Sequence, residues 1–106
     1  MKAIHFLPIM LLSLYMDNPV TAQSPQFELD LGWPQVPMGD NWLTGGIGGM
    51  CIDMRDHVYL LNRQNITESD LDGSRLAPPI IELDTDGNVV RGWGDPEVIG
   101  QRLHDC

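Results

Sequence analysis

Four short stretches decide the fold of this chain: residues 49–53 (Gly-Met-Cys-Ile-Asp), 58–61 (Val-Tyr-Leu-Leu), 80–84 (Ile-Ile-Glu-Leu-Asp) and 89–94 (Val-Val-Arg-Gly-Trp-Gly). Each is rich in aliphatic or aromatic residues, and polar turn residues separate the first pair and the last pair. The pattern therefore predicts two hairpins in an all-β fold, with the four strands of one β-propeller blade.

The sequence contains only one complete unit of this kind. A blade buries its two faces against neighbouring blades, so a single blade has no partner for either face. We therefore expect an N-terminal fragment of a longer, truncated propeller. Its predicted parts are a signal peptide (1–22), an N-terminal closing strand and loop (23–46), a first blade (47–94) and the start of a second blade (95–106).

The N-terminal residues are typical of a secretory signal peptide. Lys2 supplies the positive end, residues 4–15 form an apolar run, and Val-Thr-Ala at 20–22 predicts cleavage before Gln23. The alternative is a membrane anchor, but the run is shorter than the roughly 20 apolar residues that span a bilayer, and Pro8 interrupts it. A secreted or periplasmic location is expected.

Residues 27–33 alternate between apolar side chains and acidic residues or glycine, which is the period of a β-strand. This predicted strand stands apart from the four-stranded unit. In propellers an N-terminal strand commonly joins the last blade and closes the ring, which removes an exposed sheet edge. Its partner would then follow residue 106.

The charge balance excludes one class of partner. Fifteen acidic residues against six basic ones give a net charge of −9, which argues against nucleic acid or an anionic membrane as partner. The glycine run at 45–49 is followed by a predicted strand rather than a helix, so it does not predict a phosphate-binding loop.

Several isolated residues give only weak indications of a disulfide, a modification site or a metal site. Cys51 and Cys106 would suit either one disulfide or two free thiols. His57 is interpreted as a polar hairpin residue, and Asn65 opens a glycosylation sequon (Asn-Ile-Thr). Residues 84–88 have the acidic spacing of a calcium loop, but their glycine stands in the fourth place instead of the sixth, so a hairpin turn is predicted.

Residues 49–63 and 79–94 together resemble a blade of the NHL-repeat family. The shared pattern is an apolar pair with Asp, a turn, a Val-Tyr strand, an aliphatic strand ending in Asp, then Asp-Gly-Asn and Trp-Gly. Residues 102–105 look like the start of the next blade. Among six-bladed NHL propellers, the chain is similar to the peptidyl-hydroxyglycine α-amidating lyase group and its secreted bacterial relatives.

The resemblance implies specific roles. Arg63, directly after the second strand, matches the arginine that acts on the substrate, and His104 matches a zinc-binding histidine. Met50 and Cys106 match positions whose backbone carbonyls bind a structural calcium. The usual His-Gly of the family is His104-Asp105 here, and the remaining zinc histidines and catalytic tyrosine would follow residue 106.

Two functions from different classes follow. The first is a secreted, lyase-like and metal-dependent enzyme that uses zinc and calcium when full length and binds a small-molecule or peptide ligand in its channel. The second is a non-catalytic NHL propeller that acts as a binding scaffold for a protein partner. Because His104 is the one residue that matches the zinc histidines, the 106-residue chain is expected to hold no cofactor and to be inactive by itself. Its other expected partners are the missing blades of its parent chain.

Overall fold

The computed structural model describes residues 2–4 and 18–106, so most of the predicted signal peptide (1–22) lies outside the described residues. The described part is built mainly from short strands, which confirms the all-β prediction. The elements are β1 (Trp42–Leu43), β2 (Ile47–Ile52), β3 (Val58–Asn62), β4 (Arg75–Leu76), β5 (Ile80–Leu83), β6 (Val89–Trp93), a helix α1 (Pro96–Ile99) and one 3-10 turn (Glu68–Asp70).

Four of the strands form one antiparallel sheet in the order β2-β3-β5-β6. They coincide with the four predicted strands to within two residues at each end. Tyr59 pairs with Glu82, and Glu82 pairs with Arg91, so these three side chains lie on one face of the sheet. We call this the polar face.

The two hairpin turns of the sheet share one geometry. In the first, the Asp53 Oδ1 atom accepts hydrogen bonds from the backbone N–H groups two and four residues later; in the second, Asp84 Oδ1 does the same. The fourth residue of each turn has positive φ, 59° at Asp56 and 84° at Gly87. The two turns therefore repeat one another, although only the second has the glycine that this backbone conformation favours.

The hydrophobic core lies on the other face of the sheet, which we call the apolar face. Leu60, Ala77, Ile81 and Leu83 are its buried residues. Partly buried aromatic and aliphatic side chains from the segment before the sheet pack against them: Trp33, Met38 and Trp42.

A second, two-stranded sheet includes Trp42, one of the side chains that pack against the core. β1 pairs in parallel with β4, so the segment before the main sheet is joined to the long loop between β3 and β5. Neither strand exceeds two residues.

Two predicted strands have no counterpart among the described residues. Residues 27–33 form no strand, and neither do residues 103–106 at the predicted start of a second blade. A strand persists only where a neighbour satisfies its backbone N–H and C=O groups, and no described strand pairs with either segment. Within the described residues, no helix has the length and apolar character needed to cross a membrane.

Candidate functional site

The polar face of the sheet holds the most densely connected group of charged side chains in the described residues. Glu82 is its centre, with only 1% of its surface exposed. It stands in an otherwise aliphatic strand, Ile-Ile-Glu-Leu, where a carboxylate needs several hydrogen-bond donors to remain buried.

Three side chains supply those donors. Arg55 Nη2 and His57 Nδ1 donate to Glu82 Oε1 over 2.9 and 2.8 Å, and Arg91 Nε donates to Oε2 over 2.6 Å. The hydrogen bonds from His57 and Arg91 lower the pKa of Glu82 from its ordinary 4.5 to about 2, against the opposing effect of burial. Glu82 is therefore an ionised, fully partnered carboxylate.

Asp53 forms the second acidic centre, at the start of the first hairpin turn. Its Oδ2 atom accepts hydrogen bonds from Arg55 Nη2 at 2.6 Å and from the Tyr59 hydroxyl at 2.8 Å. Burial by itself would raise the pKa of Asp53, but these bonds and the backbone N–H groups of Arg55 and His57 hold it well below its usual range. Asp53 in turn raises the pKa of Tyr59 through their hydrogen bond.

Asp53, His57 and Glu82 have the chemistry of a cation site, since their ligand atoms lie within 4.8 Å of one another. However, each of these carboxylates already accepts hydrogen bonds from a guanidinium group. A metal ion would have to displace Arg55, which bridges both of them, and would be repelled by its charge. The arrangement therefore fits a structural network better than a metal centre.

Arg91 is further fixed by its neighbour on the same strand. Its guanidinium lies over the Trp93 ring, 4.6 Å from the ring centroid, while Tyr59 meets Trp93 edge-on with centroids 6.1 Å apart. Stacking on one side and the Glu82 hydrogen bond on another hold the planar group in a single orientation.

Arg63, the predicted substrate arginine, follows β3 and is exposed. Its backbone N–H donates to the Gly46 carbonyl at 3.0 Å, and its Nε donates to the Leu103 carbonyl at 3.2 Å. The structure thus brings Arg63 next to the residue that precedes His104, 40 positions away in the sequence. Arg63 lies outside the network centred on Glu82.

His104, the predicted zinc ligand, lies beside β2. A Cβ atom on Gly49 would be 3.0 Å from the His104 carbonyl oxygen, and one on Gly48 would overlap the Leu103 carbonyl. Residues 103 and 104 therefore lie against a glycine surface of the strand. The His104 side chain is exposed, and none of the three-ligand clusters found in the described residues includes it. His104 by itself supplies one imidazole, which does not make the ligand set of a zinc site.

Met50 and Cys106, the predicted calcium positions, are brought to the same region. Met50 lies in β2 with 68% of its surface exposed. Cys106 is disulfide-bonded to Cys51, the next residue along β2, with Cα atoms 6.2 Å apart. The sequence had left the pairing of the two cysteines open; the structure joins them.

Sequence reasoning missed the network on the polar face and interpreted His57 as a polar turn residue. One signal was available: Tyr59 and Glu82 each lie in a strand that is otherwise aliphatic. Polar groups at such positions need partners, and pairing the predicted strands would have placed them side by side. The contribution of His57 and Arg55 depended on the turn geometry and was visible only in the structure.

Comparison with known proteins gives no further identification. Protein-family models, curated proteins and solved structures were searched, and none of them matches this chain. The NHL resemblance therefore rests on the sequence motifs alone.

Proposed function

We propose that this chain is the N-terminal, blade-bearing part of a secreted NHL-repeat β-propeller, and that the whole propeller acts on a small-molecule or peptide ligand in a lyase-like manner. The observation that carries the proposal is the hydrogen bond from Arg63 Nε to the Leu103 carbonyl. It places the arginine and the histidine segment that the resemblance assigns to one site next to each other. The antiparallel order β2-β3-β5-β6 supports the blade assignment.

Arg63 would act on an anionic part of the ligand. Its Nε is engaged by Leu103, while its two terminal nitrogens make no hydrogen bond within the described residues. That end of a guanidinium carries parallel N–H donors whose spacing matches a carboxylate. Its chemical role is therefore to orient a carboxylate or to stabilise developing negative charge on the substrate.

Zinc and calcium remain part of the proposal for the whole propeller, where zinc would act as a Lewis acid. Of the zinc ligands that the resemblance implies, the described residues hold only His104.

Turnover of a hydroxyglycine-ended peptide by the natural secreted protein tests the proposal. Arg63→Ala should lower kcat/KM about 10²-fold or more if Arg63 aids the transition state. Arg63→Lys should not restore it, because a point charge cannot reproduce two parallel hydrogen bonds. Arg102→Ala, another exposed arginine close to His104, is the matched control and should retain activity. Absence of turnover by the unmodified protein would refute the lyase-like function.

A non-catalytic scaffold is the second candidate, and one observation favours it. The charged network around Glu82 is internally satisfied, because both carboxylate oxygens accept hydrogen bonds from arginine or histidine side chains. Such a network stabilises a sheet that could present a binding surface to a protein partner without turnover. Retention of ligand binding without turnover would favour the scaffold.

A further inference from the structure

Residues 103–106 are attached to the main sheet by one covalent bond and one hydrogen bond. The disulfide joins Cys106 to Cys51, and the Leu103 carbonyl accepts a hydrogen bond from Arg63 Nε at 3.2 Å. Among the described residues, no strand pair and no backbone–backbone hydrogen bond includes this stretch. We call residues 103–106 the bridged segment.

The bridged segment lies over the polar face of the sheet at β2. Cys51 pairs with Tyr59, so its side chain projects from the polar face. Gly49, two residues earlier, faces the same way, and a Cβ atom there would lie 3.0 Å from the His104 carbonyl oxygen. The disulfide and the close approach at Gly49 therefore hold the bridged segment on one side of the strand.

The disulfide is the stronger of the two attachments. The hydrogen bond from Arg63 is exposed, and such a bond adds little net stability because water can replace either partner. Ordering the bridged segment costs backbone and side-chain conformational entropy, which one exposed hydrogen bond does not offset. The covalent bond at Cys106 limits how far Leu103, three residues earlier, can move. The place of Leu103 and His104 beside Arg63 therefore depends on the disulfide.

We propose that the Cys51–Cys106 disulfide is a positioning link, which keeps His104 and its neighbours against Arg63. When the link is broken, Arg63 stays at the end of β3, where its backbone N–H donates to the Gly46 carbonyl, and the bridged segment moves away from it. The functional part of this inference rests on the proposed function, since only the resemblance assigns Arg63 and His104 to one site. The positioning itself rests on the contacts.

The link acts across the boundary between two blades of the proposed propeller, whose first blade is residues 47–94 and whose second begins at residues 95–106. Neighbouring blades of a propeller meet through non-covalent packing. A covalent bond between them restricts the distance between Arg63 in one blade and His104 in the other. A displacement of about 1 Å between groups that act on one substrate is enough to lower a rate strongly.

NMR of the arginine Nε–H groups in the natural full chain tests the positioning. Cys106→Ser should raise the exchange of Arg63 Nε–H with water by roughly three- to tenfold, the factor that corresponds to one exposed hydrogen bond. Arg91 Nε–H, which donates to Glu82 within the sheet, is the internal control and should not change. Gln101→Ser, an exposed position that keeps the disulfide, is the matched control variant. Since Cys106 is exposed and outside the core, Cys106→Ser should still fold.

Reduction of the unmodified protein by a dithiol gives a second measurement without a substitution. The Sγ–Sγ bond breaks, both sulfurs become thiols, and the reagent is oxidised to its own disulfide. Arg63 Nε–H should then exchange as in Cys106→Ser, and reoxidation should restore the original rate. Exchange at Arg63 that is unaffected by loss of the disulfide would overturn the proposal. Equal acceleration at Arg63 and Arg91 would overturn it as well, because the disulfide would then support the whole sheet.

Turnover separates this inference from the proposed function. Cys106→Ser should lower kcat for a hydroxyglycine-ended peptide about tenfold or more with little change in KM, because Arg63 still binds the carboxylate while His104 is displaced. Absence of turnover by the unmodified protein would refute the proposed function, and the exchange measurement would still decide the positioning. Unchanged kcat in Cys106→Ser would overturn the functional part of the inference and leave the proposed function intact.

Discussion

The Nδ1 atom of His57 lies 2.8 Å from the Oε1 atom of Glu82, so the first hairpin turn is bonded to the third strand of the main sheet. Arg55 reaches the same oxygen from the same turn. The turn is therefore fixed by the interior of the sheet, in addition to its own backbone hydrogen bonds. This relationship makes the conformation of residues 53–57 depend on the ionisation of Glu82.

Acid should destabilise the protein through Glu82. Because folding lowers its pKa from 4.5 to about 2, its ionisation contributes stability that is fully present above pH 4.5 and is lost as pH falls towards 2. Asp53 acts in the same direction.

Glu82→Gln should lower Tm at pH 7 and make Tm less dependent on pH between 4.5 and 2. Thermal unfolding followed by circular dichroism measures both effects, with exposed Glu97→Gln as control. Equal acid dependence in Glu82→Gln and the unmodified protein would contradict the assignment.

Because the two hairpin turns share one geometry, substitutions at their positive-φ residues, Asp56 and Gly87, should change the stability in opposite directions. Asp56→Gly should stabilise the protein by up to about 1 kcal/mol, because glycine adopts φ = 59° without the steric cost of a Cβ atom. Gly87→Ala should destabilise it by about 1–3 kcal/mol, since the added Cβ would lie 2.8 Å from Trp33 Cδ1 at a positive φ. Urea unfolding measures the two changes. Two effects of the same sign would show that the turns are not equivalent.

Asn62 should be among the most sensitive positions outside the apolar core. It is 1% exposed, its Oδ1 atom accepts from the N–H groups of Gly45 and Gln64, and its Nδ2 donates to the carbonyls of Ala77 and Pro78. Asn62→Ala removes the partner of the Gly45 and Gln64 N–H groups and of the Pro78 carbonyl, whereas the Ala77 carbonyl keeps a hydrogen bond from Gln64 Nε2. The loss should cost about 2–4 kcal/mol, since each unsatisfied group costs about 1–3 kcal/mol and the site can relax in part.

Chemical denaturation of Asn62→Ala beside Asn88→Ala tests this role. Asn88 is exposed, and its side chain makes one long hydrogen bond, to Asp84 at 3.5 Å. Its replacement should change the free energy of unfolding by less than about 0.5 kcal/mol. Similar losses in the two variants would argue against a special role for Asn62.

Gly48→Ala should detach residues 103–104 from β2. The added methyl group would overlap the Leu103 carbonyl and lie 2.7 Å from Arg63 Nε, so the hydrogen bond between them should break. Faster amide exchange confined to residues around 103 is the expected readout. Gly46→Ala is the control, because its nearest neighbour is a side-chain oxygen at 3.3 Å. Unchanged exchange in Gly48→Ala would place residues 103–104 elsewhere.

Cys51 and Cys106 should both be unreactive towards thiol reagents in the unreduced protein. The disulfide predicts that no free thiol is detected after denaturation without reductant, and that two appear after reduction. Thiol titration makes the distinction. Two thiols before reduction would rule out the bridge.

The sequence predicted the four long strands because each has enough aliphatic residues to show a strand pattern, and Asp-Gly marked the second turn. It could not predict β1 and β4, since two residues carry no periodicity and their pairing joins segments more than 30 positions apart. Residues 27–33 show the opposite case. Their alternation is strong, but a strand needs a neighbour as well as a pattern. The Glu82 network could not be predicted in full because two of its three donors, Arg55 and His57, come from a turn whose shape depends on Asp53.

The pairing of β1 with β4 has a consequence for how the molecule can open. Trp42 in β1 and Ala77, directly after β4, lie over the same buried side chains, and the Ala77 N–H donates to the Leu43 carbonyl at 3.0 Å. Neither residues 42–43 nor residues 75–77 can separate from the core without breaking hydrogen bonds to the other segment. Local unfolding of the core should therefore proceed through one concerted step, in which amides from two distant parts of the sequence exchange with the same free energy of opening.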